Sequence, residues 1–89
     1  MIRINSAAKE KISSSLDSPG MEAYYLRLGL SGNACSGKFI IGLDKPTESD
    51  ETYLVDGIRI VIARKHLMYV AGKEVNYLTE NGDSFFALI

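Results

Sequence analysis

Two dipeptides, Asp56-Gly57 and Asn81-Gly82, constrain this chain more than any other feature of it. Each couples a small polar residue to a glycine, the pair that tolerates positive φ at both central positions of a type I′ turn. Each also stands between apolar runs, so the chain reverses tightly there and the flanking runs lie antiparallel. Tyr53-Leu54-Val55 leads into the first turn and Ile58–Ala63 leads out, with Ile58, Ile60 and Ile62 on one face. Val75–Leu78 and Phe85–Ile89 flank the second. A chain built on two such hairpins is β-rich.

The remaining periodicities add strands and two helices. From Ala23 to Leu30 the pattern alternates, with Tyr24, Leu26, Leu28 and Leu30 on one face and Tyr25, Arg27 and Gly29 on the other. That is a half-buried strand. Phe39–Leu43 reads as its successor, and Ile2 and Ile4 around Arg3 as a short first strand. Ala8, Ile12 and Leu16 recur at i, i+4 and i+8, which sets them along one side of a helix that packs on a sheet. Asn5 or Ser6 caps its start, and Ser18-Pro19-Gly20 ends it because proline cannot continue the ladder. Arg64–Val70 is expected as a second, short helix stopped by Gly72, and Lys45 to Glu51 as a polar, acidic loop.

Composition narrows the function classes. With 89 residues the chain is expected to form one domain, 1–89, which buries roughly 60–65% of the surface of its unfolded chain. Hydrophobic residues at 46% and charged residues at 24% argue for a folded globular chain. A net charge of −1 and scattered basic residues, clustered only at Arg64-Lys65-His66, leave no footprint for nucleic acid or an acidic membrane. No run approaches the roughly 18–20 apolar residues of a membrane span. The first residues lack the apolar core of a secretory signal. One cysteine excludes an intrachain disulfide and fits the reducing cytoplasm, where the chain is expected to reside.

That cysteine, Cys35, sits in Gly32-Asn33-Ala34-Cys35-Ser36-Gly37, between two good strands. Most free cysteines are small buried apolar residues. Here no large apolar side chain stands within several positions, which makes burial less convincing and leaves open a thiol that faces outward to meet a metal or another chain. A nucleophile–base pair of Cys35 with His66 would need an orienting group and an oxyanion site, and neither signature is present. No catalytic residue is expected, and the chain is not read as an enzyme. His66, the only histidine, reads as a partly exposed helix residue that the sequence does not place near Cys35. Glu48, Asp50 and Glu51 lack the spacing of a calcium loop and read as a solvated loop. Tyr24 and Tyr25 face opposite sides of a strand and make no stacking platform for bases. The apolar end Phe85–Ile89 is either an edge strand that invites another chain or a strand buried on both faces.

The order of these features resembles the A-type iron–sulfur carriers, the HesB/IscA family. The likeness runs through Ile2-Arg3-Ile4, Ser6-Ala7-Ala8, the Leu26-Arg27-Leu28-Gly29 strand and the Ala34-Cys35-Ser36-Gly37 loop. It continues through Val55-Asp56-Gly57, Gly72 with Tyr77, and Gly82-Asp83-Ser84-Phe85. The resemblance implies a HesB-like α+β fold, mainly β, with mixed sheets forming a sandwich or pseudo-barrel. It implies a protein that binds iron or a labile iron–sulfur cluster through Cys35 and delivers it to apo-proteins. Family members use two further cysteines in a Cys-x-Cys-Gly tail, which has no counterpart here, and Ala34 stands where they have glycine. Clusters normally take four thiolates, and one chain offers one. The remaining ligands would come from further copies in a homo-oligomer, from an assembly or recipient protein, or from a small thiol such as glutathione. The alternative is a degenerate member acting as a metal-free protein-interaction module.

Overall fold

A computed structural model of the chain describes residues 2–32 and 37–89. These form strand β1 (Arg3–Ile4), helix α1 (Ser6–Leu16), strands β2 (Tyr25–Ser31), β3 (Lys38–Asp44), β4 (Asp50–Val55) and β5 (Ile58–Ala63), helix α2 (Leu67–Val70), and strands β6 (Glu74–Glu80) and β7 (Asp83–Leu88). A 3₁₀ turn at Arg64–His66 joins β5 to α2.

The strands make two mixed sheets, one in the order β3-β2-β5-β4 and the other β1-β6-β7. In the larger sheet β2 runs antiparallel to β3 and parallel to β5, and β4 is antiparallel to β5. In the smaller sheet β1 is parallel to β6, and β6 is antiparallel to β7. Neither order closes, so the expected α+β architecture takes the form of two open sheets and not a barrel. Both glycine turns are as their residues require. Asp56 and Gly57 have φ of 50° and 82°, and Asn81 and Gly82 have 51° and 84°. The resulting registers, Val55 opposite Ile58 and Glu80 opposite Asp83, leave two residues in each turn. A slip of one residue would turn Ile58, Ile60 and Ile62 out of the core.

The core gathers Leu26 and Leu28 from β2, the three isoleucines of β5, and Ala8, Ile12 and Leu16 from α1. Val70, Val75 and Leu88 from α2, β6 and β7, with Ile2 and Ile4 at the start of the chain, complete it. Asn5 is the cap of α1: its Oδ1 accepts the Ala8 N–H at 2.8 Å, while its Nδ2 donates to Asn76 Oδ1 at 2.8 Å. The cap therefore also ties the helix start to β6.

The outer face of the larger sheet carries a network of charged side chains. Arg27 donates to both carboxylate oxygens of Asp50, at 2.6 and 2.9 Å, and through Nε to Asp44 at 3.1 Å. Asp50 also accepts the Thr47 N–H at 2.7 Å, and its side chain is only 2% exposed. Val61, the register partner of Arg27, is fully buried on this face. The expected loop from Lys45 to Glu51 is thereby shortened. Asp50 and Glu51 belong to β4, because the two-pronged bond from Arg27 draws Asp50 onto the sheet and starts the ladder there. The expected helix over Arg64–Val70 is also corrected, to a 3₁₀ turn and one α turn. The Arg64 N–H donates to Ser49 O at 3.0 Å and its guanidinium bonds the Glu48 and Asp50 carbonyls, which tightens the first turn. Other boundaries move by one or two residues, as strand pairing continues up to the turns.

Two outcomes follow for stability. Asn5→Ala removes the cap and the tie to Asn76, and urea unfolding is expected to show a loss of about 1–2 kcal/mol. The Arg27 guanidinium, with help from Thr47, holds the Asp50 carboxyl well below the usual carboxylate value of 3.8. The unfolded chain therefore takes up the proton first as pH falls. The pair contributes fully above the unfolded value, and its contribution drains away below it, toward the depressed folded value. Urea midpoints taken from neutral pH down to about pH 2 should fall less steeply below about pH 4 in Asp50→Asn than in the wild type.

Candidate functional site

The strand pair β2–β3 frames the segment that carries the thiol. Ser31, the last residue of β2, is the register partner of Lys38, the first of β3, and its Oγ meets the Lys38 carbonyl at 3.5 Å. Both ends of the connection are thus held to one rung of an antiparallel pair. Gly32 leaves that rung with φ of 82°, a left-handed angle that a side chain would strain. Cys35 itself, with Asn33, Ala34 and Ser36, lies outside the described residues.

A second side chain meets β2 just ahead of this connection. The pairing of β2 with β5 ends at Leu28 and Ile62, because β5 stops at Ala63 and the chain turns away. Beyond that rung the Leu30 N–H donates to His66 Nδ1 at 3.4 Å. The imidazole lies over Gly29, where an added Cβ would stand 2.9 Å from Nδ1. A glycine inside a strand forfeits side-chain packing, and here its bareness leaves room for the ring. The sequence did not associate His66 with the Cys35 segment, yet the fold brings it onto the strand that leads there. Leu30 lies five positions before Cys35. The one local signal is Gly29 itself, an isolated glycine within an otherwise regular strand pattern, which marks a close approach without naming the partner.

The other candidates are accounted for elsewhere. Among the described residues no group of three or more His, Cys, Asp or Glu side chains is arranged to hold a metal ion. Asp50 is engaged with Arg27, and Glu51 pairs with Arg64 at 3.4 Å. Tyr24 packs against the core with Lys45 Nζ 5.2 Å from its ring, and Tyr25 lies 5.7 Å from the Arg59 guanidinium carbon. β7 is an edge strand, with Phe85 and Phe86 about two-fifths exposed and Ile89 62% exposed. This decides between the two readings of the apolar end. Phe86 packs on Tyr77 with ring centroids 4.8 Å apart, and a groove beside it reaches Phe39 and Ile41 of β3. An apolar cavity of about 300 Å³ lies between the β4–β5 hairpin and α2, lined by Tyr53, Val55, Ile62, Leu67 and Val70. Among the described residues no helix is long and apolar enough to cross a membrane.

Comparison with known proteins agrees with this architecture. No protein-family model matches the chain. The iron–sulfur cluster insertion protein ErpA of Shewanella pealeana is 34% identical over 89 residues, covering 96% of this chain and 76% of that protein. The iron-binding protein IscA of Enterobacter sp. (strain 638) is 30% identical over 81 residues, covering 89% of this chain and 75% of that protein. Among solved structures, Escherichia coli SufA, involved in biosynthesis of iron–sulfur clusters, superposes with a TM-score of 0.78 at 21% identity. That match covers 99% of this chain and 78% of SufA, and it is a likeness of fold.

Proposed function

Because the chain belongs to the A-type iron–sulfur carrier family, we propose that it takes up iron or a labile iron–sulfur cluster as cargo through Cys35 and hands it to apo-proteins. The observation that carries this reading is the place of Cys35 in the chain. The only thiol falls in the connection whose two ends are pinned at the Ser31–Lys38 rung of a fold shared with SufA. A thiolate is the soft ligand that iron and its clusters prefer. No catalytic residue is assigned, and the cargo is passed on unchanged.

One thiolate per chain sets the form such a site takes. Four ligands are the norm for a cluster, so two or more copies of Cys35 would share it, with a small thiol such as glutathione or a recipient's own side chains completing the set. Such a site releases its cargo easily, which suits a carrier. The exposed Phe85 and Phe86 on the edge strand β7, with Ile89 just beyond it, support association between copies, since an unpaired edge with apolar side chains favours pairing with another chain. We take residues 1–89 to act as one folding unit in the cytoplasm, in line with the lone thiol.

A second reading is a family member that binds a partner protein without metal. The single thiolate of the chain, against the four ligands a cluster normally takes, favours it. Anaerobic reconstitution with ferrous iron and sulfide, with and without glutathione, separates the two. Carrier function predicts visible charge-transfer absorption that Cys35→Ser abolishes; a colourless product at every thiol concentration leaves the metal-free module. Light scattering of the wild type is expected to give a dimer or larger, and a monomer at high concentration would count against the shared site.

A further inference from the structure

We propose that His66 is a positioning residue for the Cys35 segment, holding the strand end from which that segment departs, and that it does so as a hydrogen-bond acceptor and not as a metal ligand. This deepens the reading of Cys35 given above and rests on it for its functional meaning, though not for its geometry.

Two independent observations carry it. The first is the Leu30 N–H. The parallel ladder with β5 ends at the Leu28–Ile62 rung, so this donor lies beyond the last strand pairing on that side. A strand end paired on one side only opens more readily than one paired on both. His66 Nδ1, 3.4 Å away, takes the place that a further residue of β5 would have held. The second is Gly29, whose missing side chain is the space the ring fills, with a Cβ there only 2.9 Å from Nδ1. The ring also stands on a fixed base. It ends the 3₁₀ turn that runs into α2, where Val70 is fully buried and Leu67 packs against the core.

The direction of the bond sets the ring's role. An Nδ1 that accepts an N–H carries no proton, so the neutral imidazole holds its proton on Nε2. Metal-bound histidines show the reverse, one nitrogen giving its lone pair to the metal while the other donates its N–H to an acceptor. In this arrangement neither nitrogen of His66 has a free lone pair. Its contribution is therefore to the shape of the strand end that delivers Cys35.

The test uses the metal-free full chain and four proteins: wild type, His66→Ala, His66→Asn and Gly29→Ala. Two quantities are read, hydrogen exchange at the Leu30 amide and the rate of Cys35 alkylation by iodoacetamide. His66→Ala is expected to speed Leu30 exchange roughly fivefold, the weight of one modest hydrogen bond, and to change the alkylation rate by about threefold or more. His66→Asn, whose Oδ1 can accept the same N–H, should restore both toward the wild type. Gly29→Ala leaves the histidine in place but displaces its ring, and should reproduce His66→Ala. Far-UV circular dichroism checks that each variant keeps its fold, and if His66→Ala does not, Gly29→Ala against wild type decides alone. Unchanged exchange and alkylation in either variant overturn the proposal. So does an asparagine variant that behaves like the alanine one, since the ring itself would then be what matters. No metal is present, so these outcomes are separate from the reconstitution experiment, whose failure would speak only against Cys35 as a carrier of cargo.

Discussion

The parallel pairing of β2 with β5 is the contact on which the rest of the molecule depends. It places Leu26 beside Ile60 and Leu28 beside Ile62, four side chains with almost no exposed surface, at the centre of the larger sheet. At about 25 cal/mol per Å² of apolar surface removed from water, a row of this kind contributes several kcal/mol. Everything else is arranged around it. The β4–β5 hairpin hangs on one side and β3 on the other, while α1 and the smaller sheet supply further residues to the same core. A parallel pair cannot be closed by a tight turn. The chain between β2 and β5 therefore makes a long excursion through β3 and β4, and the Cys35 segment is the first part of it.

The same pairing decides what happens at its end. β5 stops one residue past its last rung with β2, whereas β2 continues to Ser31 to pair with β3. The unequal lengths leave one side of β2 without a neighbour close to the Cys35 connection. His66 meets that side because the chain leaving β5 must fold back across the sheet end to bury Leu67 and Val70. A side chain in a strand's place needs a gap in the opposing surface, and Gly29 is that gap. The arrangement is local, but its cause is the stagger of two central strands.

The two faces of the larger sheet are held by different physics. The inner face is apolar and joins the shared core, whereas the outer face carries one guanidinium bonded to two carboxylates beside Val61. Arg27 donates through three nitrogens to Asp44, Asp50 and the Lys45 carbonyl, and so gathers the loop between β3 and β4 under one side chain. The acidic loop is visible in the sequence, but its pairing with Arg27 is not. Which of Asp44, Glu48, Asp50 and Glu51 would be taken out of water is not visible there, since only Asp50 both pairs along β4 and lies within reach of Arg27.

The amino-acid sequence by itself determined the local geometry of this protein. The Asp-Gly and Asn-Gly turns, the isoleucine stripe of β5, the Ala8-Ile12-Leu16 face of α1 and a cap at its start, left between Asn5 and Ser6, all express preferences set within a few residues. Turn angles, alternation and capping need no distant partner, which is why these elements stand where their residues place them. The ordered run of motifs likewise pointed to the iron–sulfur carrier family and singled out Cys35. Only the tertiary structure decided that β2 pairs with β5, that the sheets stay open with β7 as an edge, that Asp50 is buried beneath Arg27, and that His66 rests on Gly29. Each of those joins residues far apart in the chain. Their physical cause is the competition among apolar faces for one small core, which no local pattern records.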